Sequence, residues 1–197
     1  MPPVQSTMLP LGSAAPDFTL PDYSGTNPLG SEVSLDSLRG SKVLVIAFIC
    51  NHCPFVKHIM DEIGRLGRDC HRKGLAFVAI NPNDVSTHPD DAPEKMTEIA
   101  KEHGFEFPYL YDEDQSVAKA YRAACTPDFF VFDANFELAY RGQLDDSRPG
   151  NDEQVNGRDL RLAIQAVMEG AEIDWPQKPS MGCSIKWKAG NAPEYAG

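Results

Sequence analysis

The sequence predicts an α/β fold in which a central mixed β-sheet is flanked by helices, preceded by a β-hairpin and followed by a tail. Three observations carry this. The run Val43 to Cys50 is continuously apolar and rich in β-branched residues, the pattern of a strand buried on both faces. Apolar residues at steps of three and four follow it, and then a second apolar run, "GLAFVAI", completes a β-α-β unit. Late in the chain, "DFFVFDANFELAYRG" reads as two strands around the turn Asp133-Ala134-Asn135, adding an antiparallel hairpin.

Taken in order, "PDFTLPDYSGTNPLGSEVSLDSL" alternates in the manner of short strands, with Gly25, Pro28 and Gly30 punctuating the loop between them. After the strand "KVLVIAFIC", residues Phe55, Val56, Ile59, Met60, Ile63, Leu66 and Cys70 form the apolar stripe of a helix ending near Gly74. Pro54 suits its first turn, where a missing N–H costs nothing. The segment "DDAPEKMTEIAKEHG" predicts a helix with an acidic start and a glycine stop, and "DEDQSVAKAYRAAC" predicts another. "GRDLRLAIQAVMEG" predicts the last helix, with Leu160, Leu162, Ile164, Val167 and Met168 as core. Gly64 and Gly67 lie inside a helical pattern and follow no strand, so no phosphate-binding loop is read from them. Residues 1–170 are thus expected as one domain and 171–197 as an extension. Trp175, Cys183 and Trp187 predict that the extension packs back onto the domain.

The chain has 197 residues, 42% hydrophobic and 24% charged, which suits one domain with a single buried core. A net charge of −11 argues against nucleic-acid or anionic-membrane partners, because phosphate contacts need a basic face. Val43 to Cys50, the longest apolar run, falls far short of the ~20 residues of a membrane helix. The N-terminal segment lacks a basic start and an apolar block, and an odd number of cysteines, 5, does not read as a secreted disulfide framework; a cytoplasmic protein is expected.

Cys50 and Cys53 stand three apart at the junction of the buried strand and the first helix, where a small disulfide ring closes with little backbone movement. Unpaired N–H groups and a partial positive charge at a helix N-terminus favour a thiolate, the form that attacks. His52, between them, is expected to stabilise the Cys50 thiolate. A zinc site would recruit His52, His58 or Cys125, but no second ligand pair stands at regular spacing, and neither metal nor cofactor is predicted.

On "CNHC" after a core strand, "TPD" at Thr126 to Asp128 before the next strand, and the order of strands and helices, the chain resembles the thioredoxin superfamily from about Pro16 to Met168. "APDFTLPD", "NHCPFVKH", "CTPDFFVFD", "YRGQLDDSRP" and "GCSIKW" are similar to its peroxiredoxin-like, AhpC/TSA-type branch. The resemblance implies a thioredoxin fold, a cis Thr126-Pro127 peptide against the cysteine pair, and a docking edge for substrate backbone beside Pro127. It implies thiol–disulfide exchange without a cofactor. The reading carried first is a thiol-disulfide oxidoreductase, with Cys50 an exposed nucleophile and Cys53 resolving.

In the alternative, Cys53-Pro54 matches a peroxidatic cysteine, and Cys50, Cys125 or Cys183 resolves it. Cys50 then occupies the position where standard peroxiredoxins have Thr or Ser. A third reading is a redox sensor or binding module. Partners under these readings are a protein or small-molecule disulfide, or a peroxide, and an external dithiol reductant. Supporting roles are expected for His52, Cys125, Thr126, Pro127, Arg141 and Cys183, whereas Cys70 belongs to the core. Lys57 reads as solvated, Asp145 and Asp146 as a solvated loop pair, and His88 and His103 as unpartnered.

Overall fold

The computed structural model describes residues 3–28 and 30–196. Strand β1 spans Val4–Gln5, and the N-terminal hairpin comprises β2 (Thr19–Pro21) and β3 (Glu32–Ser34), paired antiparallel. Leu29, in the connecting loop, lies outside the described residues. Then come β4 (Leu44–Phe48), α1 (Pro54–Arg72), β5 (Ala76–Asn81), α2 (Pro93–Glu102) and β6 (Tyr109–Tyr111). They are followed by α3 (Ser116–Ala120), β7 (Cys125–Thr126), β8 (Asp128–Phe132), β9 (Leu138–Gly142), α4 (Arg158–Glu169) and β10 (Met181–Ser184).

The central sheet has the order β6-β5-β4-β8-β9. β4 pairs parallel with β5 and antiparallel with β8, so the sheet is mixed, as the sequence pattern predicts. β4 sits in its middle, which explains its uninterrupted apolar character: alternate residues feed opposite faces. Val45 and Ala47 join the core under α1, α2 and α4, whereas Leu44, Ile46 and Phe48 join the core under α3 and the β2–β3 hairpin. The stripe Val56, Ile59, Met60, Ile63, Leu66 and Cys70 is buried along α1. Gly67 allows close approach: a Cβ there would lie 2.1 Å from the Phe107 ring.

Three local expectations need correction. The helix after "DEDQ" is a short one, Ser116–Ala120, because Arg122 adopts φ 51°, a left-handed conformation that a helix interior cannot hold. Leu162 is solvent-exposed; Leu160, Ala163 and Ile164 form the buried face of α4. The C-terminal segment contains a strand that its sequence does not advertise. β10 lies between β1 and β7, antiparallel to both, and this three-stranded sheet places Cys183 opposite Thr126.

Candidate active site

Cys50 and Cys53 stand where β4 passes into α1. The parallel ladder runs past β4, with Ile49 N–H donating to the Ile80 carbonyl at 3.0 Å, so Cys50 arrives as buried extended chain. Cys53 immediately precedes α1 and Pro54 opens the helix. The first turn thus directs free N–H groups toward Cys53 rather than Cys50.

Across from the pair, the Thr126-Pro127 peptide is cis. Cys50 Sγ lies 3.2 Å from Thr126 Oγ1, and Cys53 Sγ lies 3.3 Å from the Thr126 carbonyl oxygen. The structure therefore brings Cys50, Cys53, Thr126 and Pro127 together, and with them Cys183, which the β10–β7 pairing sets opposite Thr126 and whose pKa is raised by burial and by the neighbouring Cys53. Cys125 is buried behind them with its thiol turned to the Pro127 carbonyl at 3.6 Å.

The two residues inside the motif are clamped by Asp91. Its Oδ1 accepts the backbone N–H groups of Asn51 and His52, at 2.7 and 3.1 Å. Its Oδ2 lies 2.6 Å from His52 Nδ1 and accepts Asn83 Nδ2 at 2.8 Å. Asn81 Nδ2 donates to the Asp91 carbonyl at 2.8 Å, and the Tyr109 hydroxyl donates to Asn51 Oδ1 at 2.9 Å. Asp91 is fully buried. Sequence reasoning missed it, because nothing in the polar run "NPNDVSTHPDD" separates one acid from its neighbours. Burial opposes its ionisation, but hydrogen bonds from His52, Asn83 and Asn51 prevail and hold its pKa below the ordinary carboxylate value.

The pair is electrostatically polarised. A hydrogen bond from Cys50, with further ones from the Cys183 thiol and the N–H groups of Val56 and Cys183, outweighs burial and holds Cys53 down to about 5. Burial first, then the neighbouring Cys53 and Asp91, pushes Cys50 well above the ordinary thiol range. Cys53 is therefore the sulfur favoured as thiolate, and Cys50 the one favoured as thiol.

Several expectations change accordingly. Cys50 is not an exposed nucleophile: it and Cys53 are both fully buried. The imidazole of His52 is engaged by Asp91 at Nδ1 and stacks on His88 with centroids 4.8 Å apart. His88 and His103 are partnered, the latter by Asp61 at 2.7 Å. Arg141 is fully buried, with Nη2 donating to Asp128 at 2.8 Å and to the Arg122 carbonyl at 2.9 Å, so it braces β8 against β9. Asp145 is also buried, and Oδ2 accepts the N–H groups of Asn156 and Gly157 ahead of α4 at 2.8 and 2.7 Å. Lys57 is exposed.

Among the described residues, Cys50, His52 and Asp91 hold donor atoms within 4.8 Å of one another, a spacing compatible with a metal ion. Both Asp91 oxygens already accept two hydrogen bonds, so a cation would have to displace the His52 or Asn83 donor.

A mixed sheet flanked by helices, a cysteine pair at a helix start and a cis-proline facing it together define a thioredoxin-fold redox protein. The chain belongs to the AhpC/TSA family, whose model matches residues 11–141. It is 36% identical over 120 residues to "Putative peroxiredoxin Rv2521" of Mycobacterium tuberculosis, covering 60% of this chain and 68% of that protein. It is also 28% identical over 134 residues to the thiol-disulfide oxidoreductase ResA of Geobacillus kaustophilus, covering 68% of this chain and 70% of that one. A crystal structure of an uncharacterised conserved protein from Geobacillus kaustophilus superposes with a TM-score of 0.90 at 53% identity, covering 95% of this chain and 97% of that chain. No helix among the described residues is long and apolar enough to cross a membrane.

Proposed function

We propose that this protein is a peroxiredoxin-like thiol peroxidase in which Cys53 attacks and Cys50 resolves. The observation that carries the reading is the place of Cys53 at the start of α1, directly before Pro54, in surroundings that lower its pKa while burial raises that of Cys50. A second observation favours a small oxidant over a protein disulfide. Cys53 is fully buried, and the Thr126 edge, where a substrate backbone would dock, is already paired with β10.

The chemistry follows in two steps. The Cys53 thiolate attacks a peroxide oxygen; the S–O bond forms, the O–O bond breaks, and the departing oxygen takes a proton to leave as water or alcohol. Cys53 is then a sulfenic acid. The Cys50 sulfur attacks Cys53, the S–S bond forms, and hydroxide leaves with the Cys50 proton as water. An external dithiol supplies the two electrons that restore both thiols.

Hydrogen peroxide consumption, followed beside insulin disulfide reduction, tests this. Cys53→Ser is expected to abolish the first oxidation, whereas Cys50→Ser keeps it and loses only closure of the Cys50–Cys53 ring. Peroxide consumption at the wild-type rate in Cys53→Ser refutes the proposal. Insulin reduction that requires Cys50 and proceeds to a mixed disulfide in Cys53→Ser would establish the oxidoreductase order instead.

A further inference from the structure

The strand that fills the docking edge carries its own cysteine. β10 runs antiparallel to β7 with Cys183 opposite Thr126, whose carbonyl oxygen lies 3.3 Å from Cys53 Sγ. Gly182 makes the approach possible, since a Cβ there would lie 2.0 Å from the Thr126 carbonyl oxygen and 2.9 Å from Pro127 Cδ. The strand is tied down on every side. Val4 and Gln5 pair with Gly182 and Met181, Ile185 N–H donates to the Ala124 carbonyl at 3.1 Å, and Lys186 N–H donates to Asn83 Oδ1 at 2.8 Å. Cys183 is the least buried of the cysteines, partly open to solvent where Cys50, Cys53, Cys70 and Cys125 are buried.

We propose that β10 is an internal substrate strand and that Cys183 is a third redox cysteine, carrying oxidation from the buried pair to the surface. This rests on Cys53 being the sulfur that is oxidised. After the Cys50–Cys53 disulfide has formed, the Cys183 sulfur attacks Cys53 Sγ. The Cys53–Cys183 bond forms, the Cys50–Cys53 bond breaks, and Cys50 leaves, taking up the proton that Cys183 gave up. No electrons are gained or lost overall in this exchange. A protein dithiol then attacks Cys183 at the partly exposed end of the new disulfide and reduces it. Burial raises the pKa of Cys50, so the departing Cys50 sulfur readily takes up the proton that Cys183 gave up.

The experiment oxidises the full chain under native conditions, blocks free thiols in acid, and maps disulfides by mass spectrometry. Cys50→Ser treated with one equivalent of hydrogen peroxide is expected to show a Cys53–Cys183 link and loss of free Cys183. Cys50→Ser/Cys183→Ser is expected to hold a Cys53 sulfenic acid that dimedone traps. Diamide, which joins neighbouring thiols without a peroxide step, is expected to give the same Cys53–Cys183 link in Cys50→Ser. If Cys183 stays alkylatable in Cys50→Ser after both oxidants, the proposal is overturned. If peroxide leaves every variant reduced while diamide makes the link, the peroxidase reading fails and the role of Cys183 stands.

Discussion

Replacing Cys50 by alanine removes the largest influence on the Cys53 thiolate, the hydrogen bond from the Cys50 thiol. Cys53 is held at about 5, well below an ordinary thiol at 9.0. A hydrogen bond to a charged group contributes about 1.5–3 kcal/mol, so its loss should raise the Cys53 pKa by about one to two units. The Cys183 thiol and the Val56 and Cys183 N–H groups still lower it in the variant, against the burial that raises it. Cys50→Ser, which keeps a donor, should shift it less than Cys50→Ala. Thiolate absorbance near ~240 nm, followed against pH, reads the titration directly, and its disappearance in Cys53→Ser assigns it. A Cys53 pKa unchanged in Cys50→Ala, or a low-pH step that survives in Cys53→Ser, would refute the assignment of the thiolate and with it the order of attack.

Three further outcomes are expected. Asp91→Asn keeps one oxygen for the two backbone N–H groups of the motif but turns the other acceptor into an NH2 that faces the His52 and Asn83 donors, and should lower stability by about 2–4 kcal/mol in denaturant titration. Because the folded pKa of Asp91 lies below its unfolded value, its contribution is present above that unfolded value, near ~3.9, and fades as pH falls through the folded one; the acid limb of the wild-type stability profile should therefore be flatter in Asp91→Asn. Gly182→Ala forces β10 away from Thr126, and should cost about 1–3 kcal/mol while increasing the alkylation rate of Cys53 in the native state. Arg141→Met leaves Asp128 buried without its cation, and a loss of about 3–5 kcal/mol at neutral pH is expected by thermal or chemical unfolding, without a change in the Cys53 titration.

What the sequence reveals is what is encoded locally. The apolar run into Cys50, the stripe from Val56 to Cys70 and the turn at Asp133 to Asn135 each announce an element, because period and turn chemistry are properties of neighbouring residues. Cys53-Pro54 likewise marks the helix start. The features that decide the chemistry are non-local. Asp91 reaches the motif from 40 residues away, and Cys183 meets Thr126 through a four-residue strand whose pairing register no periodicity records. Arg122 shortens α3 through a single left-handed residue held by tertiary contacts: its carbonyl accepts Thr7 Oγ1 and Arg141 Nη2, and its guanidinium lies over the Tyr195 ring.

The same non-locality explains why a Cys-x-x-Cys spacing cannot by itself say which sulfur is the thiolate. Two fields act on the pair in opposite senses. At one end, the N–H groups of the first helical turn face Cys53 and favour its negative charge. At the other, the buried Asp91 carboxylate lies within 4.8 Å of Cys50 Sγ, where two negative charges repel by roughly 3 kcal/mol at an effective dielectric constant of ~20. That repulsion alone is worth about two pH units. Both act in the same sense as the larger influences, the burial that raises Cys50 and the Cys50 hydrogen bond that lowers Cys53. Asp91 thus does two things through different oxygens and at different ranges. Its short contacts hold the backbone of Asn51 and His52 in the turn between the two cysteines, and its charge adds to burial and to Cys53 in raising the pKa of Cys50.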